Sequence, residues 1–230
     1  MFQPLVLVPG LRCDAYLWQP VIARLGPDIA PVVADVSRDD TIAGMAARIL
    51  AAAPERFALA GLSMGGYVAL EIIRQAPGRV THLALLDTSA RPDTEERKEG
   101  RRAEMELVRQ GKASLVSRTA LPGLLAPAHL DSPIAEAVHA MAMRVGDDTY
   151  FRQQEAIMGR IDSRPFLKDI GVPTLVGVGA EDKLIPPALS EEMADAIPGA
   201  ELVTFPGAGH IATLEAPDAV AAAMTAWLAR

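Results

Sequence analysis

A chain of 230 residues that is 50% hydrophobic and 22% charged has the composition of a globular domain with a large core and room for one substantial insertion. Its formal charge of −7 argues against nucleic acid and anionic membrane as main partners, because both attract basic surfaces. The single cysteine, Cys13, excludes an internal disulfide and fits a reducing compartment.

The opening stretch MFQPLVLVPG carries no positively charged leader and no small-residue cleavage site, and no apolar run approaches the ~20 residues of a membrane-spanning helix. The expected setting is cytoplasmic, with no membrane partner. PLVLVPG then reads as a first strand and DAYLWQPVIARL as a helix. IAPVVADV is a second strand, followed by a helix over TIAGMAARILAAA. RFALAGLS, GGYVALEIIRQA and VTHLALLD supply a third strand, a third helix and a fourth strand. Further on, PTLVGVGA and AELVTFPG are strands separated by the helical PALSEEMADAI, and DAVAAAMTAWLAR is a closing helix. Apolar runs of four to eight residues without alternation indicate strands covered on both faces. Strand–helix alternation independently indicates an α/β fold with a mainly parallel sheet of about six strands.

Residues 89–168 interrupt this alternation. They contain no convincing strand, a charged run (RPDTEERKEGRRAEMELVRQ) that reads as a solvated helix face, and apolar helical stretches such as IAEAVHAMAMRV. A connection of that length is functional more often than structural. It is expected to form a helical cap inserted after the fourth strand, with 1–88 and 169–230 forming the core.

Chemistry concentrates at Gly61-Leu62-Ser63-Met64-Gly65, a G-x-S-x-G motif. RFALA before it and GYVALEII after it supply the strand–turn–helix context. Glycines two residues to either side remove Cβ atoms that would collide in the turn, and the following helix points its N–H groups at the serine. A serine hydroxyl needs a base, and the base needs a third group to fix its tautomer. Among the four histidines, His82 opens a strand at the wrong end of the sheet and His129 and His139 fall in the insertion. His210, in FPGAGHIATLEAP after the last strand, is the preferred base. Asp182, just past the penultimate strand, is preferred as the acid over its neighbour Glu181 and over Asp87, which ends the fourth strand.

Two backbone N–H groups are expected to receive the oxyanion, that of Met64 at the helix start and that of Leu11 in the loop VPGLRCD. Cys13 in the same loop has no evident base and reads as a packing residue. GAGHIA formally fits a dinucleotide-binding fingerprint, but no second strand and no ribose-binding acid follow it, so no nicotinamide or flavin is expected. The scattered histidines likewise give no metal-ligand spacing.

With GLSMGGYVAL, PTLVGVGAEDKLIPP and FPGAGHIATLEAP together, the chain resembles the α/β-hydrolase superfamily over nearly its whole length, and looks closest to small capped members such as enol-lactonase-like and carboxylesterase-like enzymes. The resemblance implies Ser63 as nucleophile, Asp182 as acid, His210 as base, Leu11 and Met64 as oxyanion donors, and no cofactor. It departs from the common pattern in having Pro9-Gly10 where members commonly have His-Gly. Proline removes an N–H and fixes φ in that loop.

The function expected is hydrolysis of a small carboxylic ester, lactone or thioester. The same scaffold also serves carbon–carbon bond hydrolysis, elimination, acyl transfer and peracid formation, and a ligand receptor with a vestigial site is a reading of another class. Met141, Met143 and Met158 in the insertion are expected either to line an adaptable apolar pocket or to pack between helices. Arg160 and Arg164 are expected either to bind a substrate carboxylate or to anchor the insertion through Asp162 or Asp169. Oligomeric state is left open.

Overall fold

The strand segments are rich in Val, Leu and Ala and lack a polar stripe, so each can be buried on both faces. The computed structural model, which describes residues 3–230, realises this in six strands: β1 (Gln3–Val8), β2 (Ile29–Val33), β3 (Phe57–Leu62), β4 (Val80–Leu86), β5 (Thr174–Gly179) and β6 (Glu201–Phe205). Met1 and Phe2, on which the reading of the N-terminus partly rests, lie outside the described residues. The strands form one sheet in the order β2-β1-β3-β4-β5-β6, and every neighbouring pair is parallel. β3 and β5 are buried along their whole length, and the edge strands β2 and β6 are not.

Alternation along the strands divides the core in two. Leu5, Leu7, Ala58, Ala60 and Leu62 face a layer containing Trp18, Met224 and Trp227. Val6, Val8, Phe57 and Leu59 face Met45, Ile49, Val68 and Ile72 on the other side. The first of these layers is built by α1 (Gln19–Ile22) and α10 (Pro217–Leu228), the second by α2 (Ile42–Ala52) and α3 (Met64–Gln75).

The helix expected over Asp14 to Leu25 is much shorter than its apolar spacing implies. A 3-10 turn over Ala15–Trp18, capped by the Asp14 carboxylate on the Tyr16 N–H at 2.9 Å, gives way to the four residues of α1. Pro20 has no N–H to continue the ladder, which divides the segment.

Between β4 and β5 the chain runs through α4 (Glu95–Arg109), α5 (Ala113–Leu124), α6 (Pro133–Val145) and α7 (Asp147–Met158), the helical insertion anticipated from the sequence. In the charged α4 only Met105 and Val108 are buried, against Val116 and Tyr150. The core resumes with β5, α8 (Pro187–Ala196), β6, the single-turn α9 (Ala212–Glu215) and α10. No helix of the described residues is long and apolar enough to cross a membrane.

Strand order sets the location of the site. From β1 the chain goes outward to β2 and then returns past β1 to β3. The carboxyl ends of β1 and β3 therefore flank a reversal point, where parallel sheets leave a crevice. Pro9-Gly10-Leu11 and Ser63 follow those two ends directly.

Candidate active site

β3 ends at Leu62 and α3 begins at Met64, so Ser63 alone makes the turn. It does so at φ 55 and ψ −118, a left-handed conformation that costs a non-glycine residue about 1–3 kcal/mol. The surroundings hold it there. The Ser63 N–H donates to the Leu86 carbonyl at 3.0 Å, and the Ser63 carbonyl accepts from the Gly66 N–H at 2.9 Å and the Thr88 hydroxyl at 2.7 Å. The motif's two glycines are needed for close approach. A Cβ on Gly61 would run into the Gly65 carbonyl, and one on Gly65 into the carbonyl of Val8.

The imidazole of His210 lies between two groups from other elements. Its Nε2 is 2.8 Å from Ser63 Oγ and its Nδ1 is 2.8 Å from Asp182 Oδ2. His210 is 2% exposed and Asp182 4%, so both hydrogen bonds form away from bulk water. The second carboxylate oxygen of Asp182 accepts from the Leu184 and Ile185 N–H groups, each at 2.9 Å. The carboxylate is thereby fixed with one oxygen left for the histidine. Such an arrangement can take the proton from a hydroxyl and stabilise the imidazolium that results.

The His210 loop is held from the insertion. The His210 N–H donates to the Leu124 carbonyl at 2.9 Å, at the end of α5. The Glu215 carboxylate accepts from the Ile211 N–H at 3.1 Å and from the Ala126 N–H at 2.7 Å, tying the loop after β6 to the segment after α5.

Asp87, the alternative acid, sits elsewhere. Its Oδ1 accepts from the Gly179 N–H at 2.7 Å, and its Oδ2 is buried with no hydrogen-bond partner among the described residues. Burial, with the nearby Asp182 adding to it, pushes its carboxyl well above the usual range. Glu181 is exposed. Cys13 is a buried packing residue whose thiol donates to the Leu11 carbonyl at 3.4 Å, and burial pushes it up to about 12.

Neither the Leu11 N–H nor the Met64 N–H donates to a protein acceptor among the described residues. Both residues adjoin Ser63, Leu11 as a wall of the same cavity and Met64 as the next residue of the chain. That cavity encloses about 420 Å³ between the sheet edge and the insertion. Val138, Ala142 and Ile157 give it apolar wall, with Leu124 beside His210.

Met141, Met143 and Met158 do not line this cavity. Met141 is fully buried in the core layer of Trp18 and Trp227, and Met158 packs beside Tyr150. Arg160 is likewise elsewhere. It bonds Asp93 Oδ1 at 2.9 Å and the carbonyls of Arg91 and Ile157 at 3.0 and 2.9 Å, and lies over the Tyr67 ring beside a separate cavity. Arg164 pairs with Asp162. The other histidines stand apart as well: His82 packs edge-on against Trp227 and His139 bonds Ser117.

Sequence reasoning missed Arg12. It follows Leu11 with φ 56, is buried, and lines the Ser63 cavity together with Tyr150. The signal available was a large cation in a turn position that favours glycine. Among the described residues no group of three or more His, Cys, Asp or Glu side chains is clustered to hold a metal.

A six-stranded parallel sheet, a serine turn between β3 and α3, and a helical insertion after β4 define an α/β-hydrolase. The chain belongs to the Alpha/beta hydrolase family, which it matches over residues 5–223. It is 28% identical over 229 residues to the pimeloyl-[acyl-carrier protein] methyl ester esterase of Pectobacterium carotovorum subsp. carotovorum (strain PC1), covering 94% of this chain and 90% of the relative. It is similar to the structure of a thermophilic esterase from Thermogutta terrifontis with malate bound, at 30% identity and a TM-score of 0.85, over 99% of this chain and 89% of that one. The enol-lactonase from Burkholderia xenovorans LB400 shares the fold at a TM-score of 0.90 and 24% identity, over 100% of this chain and 92% of that one.

Proposed function

We propose that the protein is a cofactor-free serine hydrolase acting on a small carboxylic ester, lactone or thioester, with Ser63 as nucleophile, His210 as base and Asp182 as orienting acid. The observation that carries this reading is the continuous pair of 2.8 Å hydrogen bonds from Asp182 through His210 to Ser63 Oγ. The esterases among its relatives support the ester class.

Ser63 Oγ adds to the acyl carbon as His210 Nε2 takes the hydroxyl proton. The carbonyl oxygen becomes an oxyanion, received by the backbone N–H groups of Leu11 and Met64, each worth about 2.7–4 kcal/mol to the transition state. The bond to the leaving alcohol breaks, and the alcohol departs with the proton from His210. Water then adds to the acyl-enzyme, giving a proton to His210. The bond to Ser63 breaks, the serine recovers its proton and the carboxylic acid leaves. Pro9 leaves this loop workable, because the N–H required belongs to Leu11. Residues 89–168 act as the cap, roofing the cavity and excluding water.

A fluorophosphonate probe read by mass spectrometry tests the reading. Labelling at Ser63, its loss in Ser63→Ala and turnover of 4-nitrophenyl butyrate are expected. An unlabelled wild-type serine in folded protein would overturn it in favour of a ligand receptor.

A further inference from the structure

The strongest unexplained feature of the cavity is the guanidinium of Arg12. Gly10 to Cys13 form a tight turn closed by the Cys13 N–H on the Gly10 carbonyl at 3.1 Å. The third position of that turn, where glycine would be free of strain, carries an arginine at φ 56. Its backbone N–H donates to Gln153 Oε1 at 2.9 Å, which fixes the direction in which the side chain leaves.

The guanidinium carbon lies over the Tyr150 ring, 3.7 Å from its centroid. Its donors are poorly used. Nη1 reaches the Ala113 carbonyl at 3.4 Å and Nη2 stands 3.8 Å from the half-exposed Asp147, while Nε and Nη2 are buried with no hydrogen-bond partner among the described residues. A side chain that is 9% exposed and this weakly paired is costly to hold as a cation. Burial lowers its pKa, the effect exceeding the opposing pull of Tyr150, Asp147 and Glu104. Arg97 and Arg101 line the same cavity, Arg101 being matched by Asp93, and Glu104 is the one carboxylate in its wall among the described residues.

Resting on the hydrolase reading, we infer that Arg12 receives a free carboxylate on the substrate, so that the preferred substrates are half-esters or lactones of dicarboxylic acids. Arg12 lines one cavity with Ser63 and with Leu11, the proposed oxyanion donor, so that a single substrate molecule can meet all three. A substrate carboxylate would give the guanidinium the charge partner that Asp147, at 3.8 Å and half-exposed, supplies only weakly.

Monomethyl succinate, glutarate and adipate, each against its dimethyl ester, are assayed by methanol release. Each pair shares its diacid chain and differs in one methyl group and the charge that it masks. The wild type is expected to favour the best monoester in kcat/KM by about ten- to a hundred-fold, mainly through KM. Arg12→Gln should bring that ratio towards unity, and Arg12→Lys should leave part of it. A wild-type ratio at or below unity overturns the inference without any variant. So does an equal loss on both esters in folded Arg12→Gln, which would make the arginine only a tether between loop and insertion. If Ser63 takes the fluorophosphonate and dimethyl esters turn over without charge preference, the Arg12 inference alone falls. An unlabelled Ser63 removes both.

Discussion

Replacing Asp182 with asparagine tests the relay by changing one atom. The carboxylate accepts two backbone N–H groups on Oδ1, from Leu184 and Ile185, and faces His210 Nδ1 with Oδ2. Asparagine must keep its oxygen on the two N–H donors, since the reverse orientation sets its NH₂ against both. The NH₂ then faces Nδ1 and makes it an acceptor. The ring proton moves to Nε2, pointing at Ser63 Oγ, and the base is lost with the geometry intact. Loss of the tautomer costs ~10⁴ in kcat in the best-studied triad, or ~5.5 kcal/mol of transition-state stabilisation. The assay is 4-nitrophenyl butyrate turnover and the rate of fluorophosphonate labelling, which should fall together while the thermal midpoint stays within a few degrees. Asp87→Asn is the control, because its carboxyl holds the Gly179 N–H instead of the histidine. A folded Asp182→Asn variant with a kcat loss under about ten-fold would refute the argument.

Asp87 yields a pH prediction with a definite sign. Its native carboxyl is held well above the ordinary carboxylate range by burial, so the folded state keeps a proton that the unfolded chain releases. Its contribution to stability is complete below the unfolded pKa and is lost as pH rises from there through the raised native value. The thermal midpoint of Asp87→Asn should therefore gain on wild type between pH 4 and pH 8, and an unchanged gap would contradict this. Gly61→Ala forces a Cβ into the Gly65 carbonyl and should cost at least ~2 kcal/mol, a fall of about 4–8 °C in calorimetry, with loss of Ser63 labelling. Glu215→Ala leaves the Ile211 and Ala126 N–H groups without their acceptor, and should cost about 1–3 kcal/mol in denaturant unfolding and slow ester turnover.

What could be read from the sequence and what could not divide along a physical line. Val, Leu and Ala runs bounded by turn residues fix a buried parallel sheet, because few other structures bury both faces of a six-residue segment. Gly61 and Gly65 marked the serine turn for a steric reason that the structure repeats. Strand order then put residues 63, 182 and 210 at one rim. The insertion was opaque, because amphipathic helices declare which face is apolar but not which neighbour it meets. Met141, chosen for its flexibility, packs into the core layer, while Ala142 beside it faces the cavity. Arg160, chosen for its charge near the return to the sheet, finds Asp93, 67 residues away in the chain. No local pattern encodes such a pairing.

The insertion and the core meet at the loops that carry the proposed reacting groups. The Leu124 carbonyl takes the His210 N–H, and Gln153 takes the backbone N–H of the residue after Leu11. One contact sets the loop of the proposed base and the other the loop of a proposed oxyanion donor. Neither loop is held by the sheet alone, because both begin where the strand ladders have ended. A change in α5 or α7 that shifted these backbone anchors would therefore alter kcat before it altered substrate choice. Side chains of the insertion that face the cavity without hydrogen-bonding either loop, such as Val138 on α6, would do the reverse.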